Sequence, residues 1–353
     1  MGGWGASVRI FDTSQTSSKI PRLFSSRSSR LNSVGVCTVP KISVCISTYN
    51  RAQLLPQAIH SVLEQTELDF ELIVCDDGST DGTAELLAQY SDPRIHYIRH
   101  RQNIGKSNNM RSGFEAATGE YFIKFDDDDR LTPQFLAQTA AILDRHSQVD
   151  FASTDHWVIS SKGDRDLPLT DANSKKWGRT ELPNGIVSDL LKVVFIQQCL
   201  QVGATLFRRQ ALLDVGYMRP NIQNCEDNDL LVRLALAGKQ AFYWGDRLME
   251  YRFHSEQQGI HRAIPYFKDK IRYLENFEFE DPELEKVRHS RLAETKLLLG
   301  LRLIETGETA MGRILVQAGK TASPAKCLAG LGLSLLPLGF RQQAFQLLRH
   351  VKA

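Results

Sequence analysis

Apolar runs alternate with amphipathic segments along the chain from residue 41 onward. The runs KISVCIS (41–47) and ELIVCDD (71–77) are nearly continuous in apolar and β-branched residues, which is typical of strands buried in a parallel sheet. Between them, apolar residues from Leu54 to Leu63 recur at the spacing of one helix face. This order of strand, helix and strand predicts a βαβ unit.

The same alternation continues along the next part of the chain. Further helices and strands are predicted, in order, at TAELLAQY (83–90), IHYIR (95–99), NNMRSGFEAA (108–117) and EYFIKF (120–125). Thr132 as the N-cap and Pro133 in the first turn predict the start of another helix, QFLAQTAAILDRH (134–146). The pattern predicts an α/β fold with an open sheet, in which ligands bind at the carboxyl ends of the strands.

Polar loops follow three of the predicted strands. They are STYNR (47–51), DDGSTDGT (76–83) and four consecutive aspartates (126–129). Each loop alone is also compatible with an ordinary turn, since Asp, Gly, Ser and Asn are common turn residues. Because all three follow strand ends, they favour a binding site at one edge of the sheet. An Asp-x-Asp pattern there suits Mg²⁺ or Mn²⁺ carrying a diphosphate, because these hard cations take carboxylate and phosphate oxygens. A solvated acidic turn is the alternative.

Composition and charge exclude several classes of protein. The chain has 353 residues, of which 42% are hydrophobic and 24% charged, as in an ordinary globular protein with one large domain and an accessory region. Its formal net charge is only +2 and its basic residues are scattered, so we expect no nucleic-acid partner. The six cysteines form no C-x-x-C pair, which argues against zinc and a disulfide framework and favours a reducing, cytoplasmic location.

The two ends of the chain differ from the α/β segment. Residues 1–38 are rich in Ser and Arg and poor in acidic residues, and we interpret them as a disordered leader, with a transit peptide as the alternative. The C-terminal region, 261–353, shows helical apolar stripes and is predicted to be a helical appendage of the α/β domain. No apolar run approaches the roughly 20 residues of a membrane-spanning helix. Peripheral contact through an amphipathic surface, at the inner face of a membrane, stays open.

Five motifs occur in the order found in one known family. They are STYNR, VCDDGSTDGT, NIGKSNNMRSG, GEYFIKFDDDDRLTP and CEDNDLLVRLALAG, and together they resemble the family 2 glycosyltransferases over about residues 41–255. The resemblance implies a GT-A fold, a Rossmann-like mixed sheet flanked by helices, in a catalytic domain at 39–260. It also implies metal-dependent, inverting transfer of a sugar from a nucleotide diphosphate donor, with Mn²⁺ or Mg²⁺ as cofactor. The implied acceptor is a glycan, a lipid-linked molecule or another hydroxyl compound, in glycan, polysaccharide or glycolipid synthesis.

The resemblance also implies roles for individual residues. The residues implied in binding the nucleotide-sugar are Thr48, Asn50, Arg51, Asp76, Asp77, Lys106, Arg111, Asp126 and Asp127. Asp128 is expected to contact the metal, with His254 as a second candidate ligand. Asp227 is expected to act as general base, with Glu226 positioning it or the acceptor. The segment 202–218 is similar to the part of such enzymes that lines the acceptor side.

Other interpretations of the motifs stay open at this point. The acidic opening of CEDNDLLVRLALAG (225–238), a predicted helix that Gly238 ends, is also typical of a favourable first helical turn. The loop NIGKSNNMRSG departs from the family pattern at Met110 and Arg111. A catalytically silent relative that binds nucleotide-sugars as a scaffold is the main alternative function. A nucleotidyltransferase is disfavoured, because the chain has no Gly-rich phosphate loop with basic residues.

Overall fold

The computed structural model describes residues 39–253 and 260–350, and within these ranges nine strands form one sheet. The strands are β1 (Ile42–Thr48), β2 (Phe70–Asp76), β3 (Ile95–Arg99), β4 (Tyr121–Asp126), β5 (Arg130–Leu131), β6 (Phe151–Ile159), β7 (Gly185–Ile186), β8 (Thr205–Arg208) and β9 (Ala241–Arg252). The α-helices are α1 (Leu55–Leu63), α2 (Thr83–Leu87), α3 (Lys106–Ala116), α4 (Phe135–Arg145), α5 (Leu167–Lys176), α6 (Arg209–Asp214), α7 (Glu226–Leu236), α8 (Ile260–Glu275), α9 (Pro282–Thr306), α10 (Thr309–Ala318), α11 (Pro324–Leu333) and α12 (Leu338–His350). The leader predicted at 1–38 lies outside the described residues.

The sheet is mixed, with a parallel half that comes first in the sequence. Across the sheet the strand order is β3-β2-β1-β4-β8-β6-β9-β5, and β7 pairs with β9. Strands β1 to β4 are parallel where they pair, whereas β8 runs antiparallel to both β4 and β6. The predicted α/β fold, a mixed sheet flanked by helices and followed by a helical C-terminal region, is therefore confirmed.

The parallel register brings the three polar loops to one edge of the sheet. Thr48 at the end of β1 is paired with Asp76 at the end of β2, and Ser47 is paired with Asp126 at the end of β4. Because these strands are parallel, the chain leaves each of them on the same side. The loops that follow the three strands therefore lie next to one another, as the sequence predicts.

Apolar side chains are buried on both faces of β1 and β2. Val44 and Val74 belong to a core shared with α1 and α4, whereas Cys45 and Ile73 belong to a second core shared with α3 and α7. Alternate side chains of a strand point to opposite faces, so a strand between two helix layers is apolar at successive positions. This burial explains the nearly continuous apolar runs of the sequence.

One predicted helix start is wrong. Helix α4 begins at Phe135 with Gln134 at the N-cap position, rather than after Thr132 and Pro133. The backbone N–H of Thr132 donates to the carbonyl of Leu248, which extends the pairing of β5 with β9 by one residue. Because this pairing keeps the backbone extended, the helix starts only after the following turn.

The C-terminal helices pack against the α/β domain and against each other. In α9, the guanidinium of Arg291 donates to the backbone carbonyls of Phe195 and Ile196. Helices α9 to α12 share a smaller apolar core, whose buried members are Leu297, Ile304, Val316, Cys327 and Phe345. Among the helices in the described ranges, none has both the length and the apolar character needed to cross a bilayer.

Candidate functional site

A cavity of about 1240 Å³ opens at the carboxyl ends of β1, β2 and β4. Its walls come from the loop after β1, the start of α3, the aspartate run, the start of α7, and the helices α8 and α9. Small-molecule sites usually have volumes of roughly 300 to 1,000 Å³. The cavity is therefore large enough for a ligand of nucleotide size together with part of a second molecule.

Most of the site residues predicted from the sequence line this cavity. They are Thr48, Arg51, Asp77, Lys106, Asp126, Asp127, Asp128, Glu226 and Asp227. Asn50, Asp76 and Arg111 are not among the lining residues, and neither is any residue of the segment 202–218. His254 lies outside the described residues.

Asp76 and Asn50 hold the loop after β2 instead of facing the cavity. Oδ1 of Asp76 accepts a hydrogen bond from the N–H of Ser79 at 2.8 Å, and Oδ2 accepts one from the hydroxyl of Tyr97 at 2.7 Å. Oδ1 of Asn50 accepts from the N–H of Thr80 at 2.8 Å. Both side chains therefore fix the backbone of the loop after β2, at residues 79 and 80.

Arg111 is likewise held by backbone groups. Its Nη1 donates to the carbonyls of Gly216 and Met218 at 3.0 and 2.9 Å, which ties α3 to the loop after α6. In the segment 202–218, Gly203 is buried next to Met249 of β9. Both therefore contribute to packing in this structure, outside the cavity wall.

Asp77 connects the cavity to the start of α3. Its Oδ1 accepts from the N–H of Ile104 at 2.7 Å, and its Oδ2 accepts from the N–H of Gly105 at 3.1 Å. Burial raises the pKa of Asp77 above its ordinary value, while these two donors oppose the rise. The two bonds fix the loop that precedes Lys106, the first residue of α3.

Two lysines face the carboxylates at the floor of the cavity. Nζ of Lys106 lies 2.8 Å from Oε1 of Glu226 and 3.8 Å from Oδ1 of Asp126. Nζ of Lys124 lies 2.9 Å from Oδ2 of Asp126 and 3.5 Å from Oδ2 of Asp227. These five side chains form one connected cluster of charges, which we call the floor cluster. Glu226 and Asp227, although distant in sequence from the aspartate run, are thus joined to it by the two lysines.

The lysines and burial together set the protonation of the floor cluster. Burial disfavours the charged form of Asp126, but Lys106 and Lys124 outweigh it and hold the pKa of Asp126 well below its usual range. For Glu226, burial raises the pKa despite the nearby ammonium of Lys106. Burial alone would lower the pKa of Lys124, but Asp126 and Asp227 raise it above its ordinary value. Asp126 is therefore ionised and Lys124 charged at neutral pH.

Sequence analysis did not identify Lys124 as a site residue. It is almost completely buried, at 1% exposure, on β4 two residues before Asp126. Residues two apart on a strand point to the same face, so the spacing between Lys124 and Asp126 was the available signal. A lysine in an otherwise apolar strand needs a buried partner, and the floor cluster supplies it.

The other two members of the aspartate run have different surroundings. Burial, and next to it the charge of Asp128, raises the pKa of Asp127 to about 7. Asp129 is fully buried and its Oδ1 accepts from the N–H of Arg252 at 2.8 Å, which links the run to the end of β9. Burial and the neighbouring Asp128 hold the pKa of Asp129 well above its ordinary value.

The carboxylates of the cavity fit a hard divalent cation that a substrate helps to hold. Asp126 and Asp128 line the cavity, and Oδ1 of Asp227 is buried with no hydrogen-bond partner among the residues that the structure describes. A buried oxygen without a donor often marks an ion or ligand site. Within residues 39–253 and 260–350, no three His, Cys, Asp or Glu side chains form a group that could hold an ion alone. Mg²⁺ typically uses one or two protein carboxylates and completes its shell with water and phosphate oxygens.

Helices α8 and α9 supply a part of the cavity wall that sequence analysis also missed. Arg262 and Tyr266 of α8 and Arg302 of α9 are lining residues. They belong to the region that the sequence marks only by apolar stripes. Arg302 does interrupt the apolar run LLLGLRLI, and this interruption was the one signal for it. The C-terminal helices therefore take part in the site.

The chain shares its fold with two solved structures that contain a sugar nucleotide. The Staphylococcus aureus TarS 1-349 structure in complex with UDP-GlcNAc superposes with a TM-score of 0.58 at 16% identity, over 87% of this chain and 91% of that one. The mannosyltransferase PcManGT from Pyrobaculum calidifontis, in complex with GDP-Man and Mn²⁺, gives a TM-score of 0.54 at 18% identity, over 90% of this chain and 87% of that one. At these identities the likeness shows the GT-A fold.

Residues 43–212, a little under half of the chain, match the model of Glycosyl transferase family 2. The provisionally named glycosyltransferase EpsE of Bacillus subtilis (strain 168) is 34% identical over 129 residues, which are 36% of this chain and 46% of EpsE. The abequosyltransferase RfbV of Salmonella typhimurium (strain LT2) is 30% identical over 179 residues, which are 49% of this chain and 52% of RfbV. The chain thus spans about half the length of these relatives. The predicted resemblance is confirmed.

Proposed function

We propose that the protein is a metal-dependent inverting glycosyltransferase that moves a sugar from a nucleotide diphosphate donor to a hydroxyl group. The observation that carries this proposal is the floor cluster, in which Asp227 lies in the same cavity as the strand-end aspartates. A general base for the acceptor and a site for the donor's diphosphate are thus side by side. TuaG of Bacillus subtilis, provisionally named a teichuronic acid biosynthesis glycosyltransferase, is 27% identical over 215 residues. It supports a role in polysaccharide synthesis.

The cavity offers distinct regions to the two parts of the donor. Thr48, Arg51 and Asp77 line the side next to β1 and β2, where we place the nucleoside. Lys106 lines the same cavity with its Nζ 3.8 Å from Oδ1 of Asp126, where we place the diphosphate next to its ammonium. This arrangement follows the rule that ligands of open α/β sheets bind outside the carboxyl ends of the strands.

Asp128 together with Asp126 would hold Mn²⁺ or Mg²⁺. When bound there, the cation would neutralise the charge that grows on the departing diphosphate. His254 stays a predicted further ligand. Lys106 would also help to neutralise the charge on the diphosphate, because it brings a positive charge to this part of the cavity wall.

Asp227 is the proposed general base. Its carboxylate takes the proton of the acceptor hydroxyl while the hydroxyl oxygen forms a bond to the anomeric carbon and the bond to the diphosphate breaks. A single displacement of this kind inverts the anomeric configuration. Nζ of Lys124 lies 3.5 Å from Oδ2 of Asp227 and orients this carboxylate. Glu226, bonded to Lys106, holds the start of α7 against α3.

A donor-panel assay tests this function. The full chain is incubated with nucleotide-sugars, Mn²⁺ and candidate acceptors, and release of the nucleoside diphosphate is measured. We expect release with one donor class and a loss of turnover on the order of 10²- to 10⁴-fold in Asp227→Asn, because the amide cannot accept the proton. Donor affinity in that variant should stay near that of the wild type.

A matched control is Asp246→Asn, which changes an exposed aspartate of β9 outside the cavity wall. Donor binding without release by any donor and acceptor would identify a silent nucleotide-sugar-binding protein and contradict the proposal. A stable Asp227→Asn protein with near-normal transfer would remove this residue from the mechanism.

A further inference from the structure

The turn between α11 and α12, together with the first residues of α12, exposes a cluster of large apolar side chains. Its members are Leu335 at 76% exposure, Leu336 at 40%, Leu338 at 45% and Phe340 at 67%. We call these four residues the apolar turn. Scattered exposed apolar residues are normal on a soluble protein, whereas four within six consecutive positions mark an interaction surface. Leu347 extends this surface along α12, because it lies two helical turns after Phe340 and is also exposed.

A buried arginine holds the apolar turn in a defined conformation. Nη1 of Arg341 donates to the carbonyl of Ile304 at 2.9 Å and to the hydroxyl of Thr309 at 2.7 Å. Nη2 donates to the carbonyl of Leu336 at 2.7 Å and to that of Ser334 at 3.3 Å. These bonds join the ends of α9, α10 and α11 to the turn. The apolar side chains are therefore presented by a fixed backbone.

The segment of sequence that contains the apolar turn carries basic but no acidic side chains. Glu308 is the last acidic residue of the chain, and the residues after it that carry a positive charge are Arg313, Lys320, Lys326, Arg341, Arg349 and Lys352. The whole chain has a formal net charge of only +2, so the rest of the protein is net acidic. The segment after Glu308, which exposes the apolar turn, therefore has a net charge of +6, against −4 for residues 1–308.

We propose that the apolar turn inserts into the surface of a membrane that carries anionic lipid headgroups. Exposed Leu and Phe side chains enter the boundary of the acyl chains, while Lys320 and Lys326, both exposed, meet the headgroups. A second copy of the chain is a poorer occupant, because two surfaces with the same excess of positive charge repel each other. This inference rests on the C-terminal helices and is independent of the proposed transfer reaction.

Vesicle sedimentation with the full chain tests the proposal. We expect binding to vesicles of phosphatidylcholine with phosphatidylglycerol, and much weaker binding to phosphatidylcholine alone. The double variant Leu335→Gln/Phe340→Gln should bind the anionic vesicles at least about tenfold more weakly, because each lost apolar side chain removes buried area. Lys326→Gln should bind about fivefold more weakly, the effect of one basic residue near an anionic surface.

Matched controls come from the α/β domain. Leu68, at 70% exposure in the loop between α1 and β2, is changed to Gln, and the exposed Lys162 is changed to Gln. Both control variants should bind vesicles as the wild type does. All four variants alter exposed side chains, so their thermal unfolding midpoints should match that of the wild type, and a retained midpoint excludes misfolding as the cause of lost binding.

Three results would overturn the proposal. The first is equal vesicle binding by Leu335→Gln/Phe340→Gln and the wild type. The second is equal binding to the neutral and the anionic vesicles. The third is a concentration-dependent dimer in sedimentation velocity that the double variant abolishes, since this result would assign the apolar turn to a second copy of the chain.

Discussion

Four adjacent aspartates of one sequence run have four different surroundings in the folded chain. Asp126 is paired with two lysines, Asp127 is buried with a pKa raised to about 7, and Asp129 accepts a backbone hydrogen bond from the end of β9. Asp128 lines the cavity. The repulsion of four like charges is therefore reduced by pairing at one position and by proton uptake at others.

Asp128 is the residue whose loss should most weaken metal binding. We expect Asp128→Asn to reduce Mn²⁺-dependent binding of a nucleoside diphosphate by at least about tenfold, since even residues that only support a metal ligand contribute roughly 10- to 100-fold to affinity. Titration calorimetry with and without Mn²⁺ measures this. Asp164→Asn, at an exposed aspartate in the loop after β6, is the control. Unchanged metal-dependent affinity in Asp128→Asn would show that the aspartate run is not the metal site.

Lys124 should act as a positioning residue for the floor cluster. We expect Lys124→Met to lower turnover at least about tenfold, because small misplacements of a catalytic group have effects of this size or larger. Removing the ammonium also lets the pKa of Asp126 rise, so activity should be lost at a higher pH as the solution is acidified. The pH–rate profile separates this effect from a loss of folded protein.

The control for Lys124→Met is Lys41→Met, which breaks a lysine–aspartate pair of 2.8 Å outside the cavity. This variant should keep the pH–rate profile of the wild type. If both variants gave the same profile, Lys124 would have only a structural role.

Part of the site could be predicted residue by residue and part could not. Asp77, Asp126 and Asp128 could be predicted, because they lie at or just after the ends of predicted strands and the ends of parallel strands share one edge of the sheet. Asn50 and Arg111 have the same residue types as binding groups, but their hydrogen bonds go to backbone atoms of other loops, and sequence spacing carries no information on those contacts.

At the scale of elements, a sequence signal predicts the end of a helix well where only the local backbone conformation determines that end. The sequence predicts that Gly238 ends α7, and in the structure its φ is +72°. The N–H of Gly238 donates to the carbonyl of Ala235, and the N–H of Lys239 donates to the carbonyl of Leu234, which is a Schellman cap. The start of α4 was mispredicted because strand pairing with β9, a contact between distant segments, decides where Thr132 lies.

The cap of α7 provides a stability test that depends on one backbone angle. A Cβ at Gly238 would meet no atom within 4 Å, so the cost of Gly238→Ala comes from the left-handed conformation alone. We expect a loss of about 1 to 2 kcal/mol in the free energy of unfolding. Urea denaturation measures this difference.

Gly332 is the matched control, because a Cβ at this position would also meet no atom within 4 Å, but the residue lies inside α11 with a negative φ. Gly332→Ala should stabilise the protein by roughly 0.5 to 1 kcal/mol, the helix preference of alanine. Equal effects of the two substitutions would contradict the role of the positive φ.

At the scale of the whole molecule, the parallel half of the sheet was predictable and the antiparallel half was not. Strands β1 to β4 follow one another with a helix between them, so their parallel direction follows from βαβ units, whereas the pairing of β4 with β1 does not. Strand β8 lies between β4 and β6, and β9 pairs with both β5 and β6, although long segments of chain separate these strands. Such non-local pairings leave no periodic signal in the sequence.

The C-terminal helices join two features of the whole protein. Helices α8 and α9 close one side of the cavity, while the turn between α11 and α12 carries the exposed apolar side chains. Helix α9 contributes to both features. It supplies Arg302 to the cavity wall, and its Ile304 carbonyl accepts a hydrogen bond from Arg341, which holds the apolar turn. A membrane-bound orientation of the apolar turn would therefore fix the direction in which the cavity faces.

The stability of the whole molecule should depend on pH through His156. This histidine of β6 is buried, and burial together with the guanidinium of Arg179 lowers its pKa to about 3. The folded chain therefore keeps His156 neutral at pH values where the unfolded chain, with an ordinary histidine pKa of about 6.5, takes up a proton. Because the unfolded state then binds more protons, stability falls as the pH falls below about 6.5.

We expect the free energy of unfolding to decrease from this group by up to about 1.4 kcal/mol for each pH unit between 6 and 5. His156→Gln should remove that slope, whereas His60→Gln, at an exposed histidine of α1, should keep it. Asp127 has the opposite effect on stability. Because its pKa is raised to about 7, the folded chain binds the extra proton below pH 7, and this group makes the free energy of unfolding rise as the pH falls. Its contribution is common to the wild type and both variants, so the difference between their urea denaturation curves isolates His156. Equal slopes in the wild type and His156→Gln would show that His156 is already protonated in the folded chain.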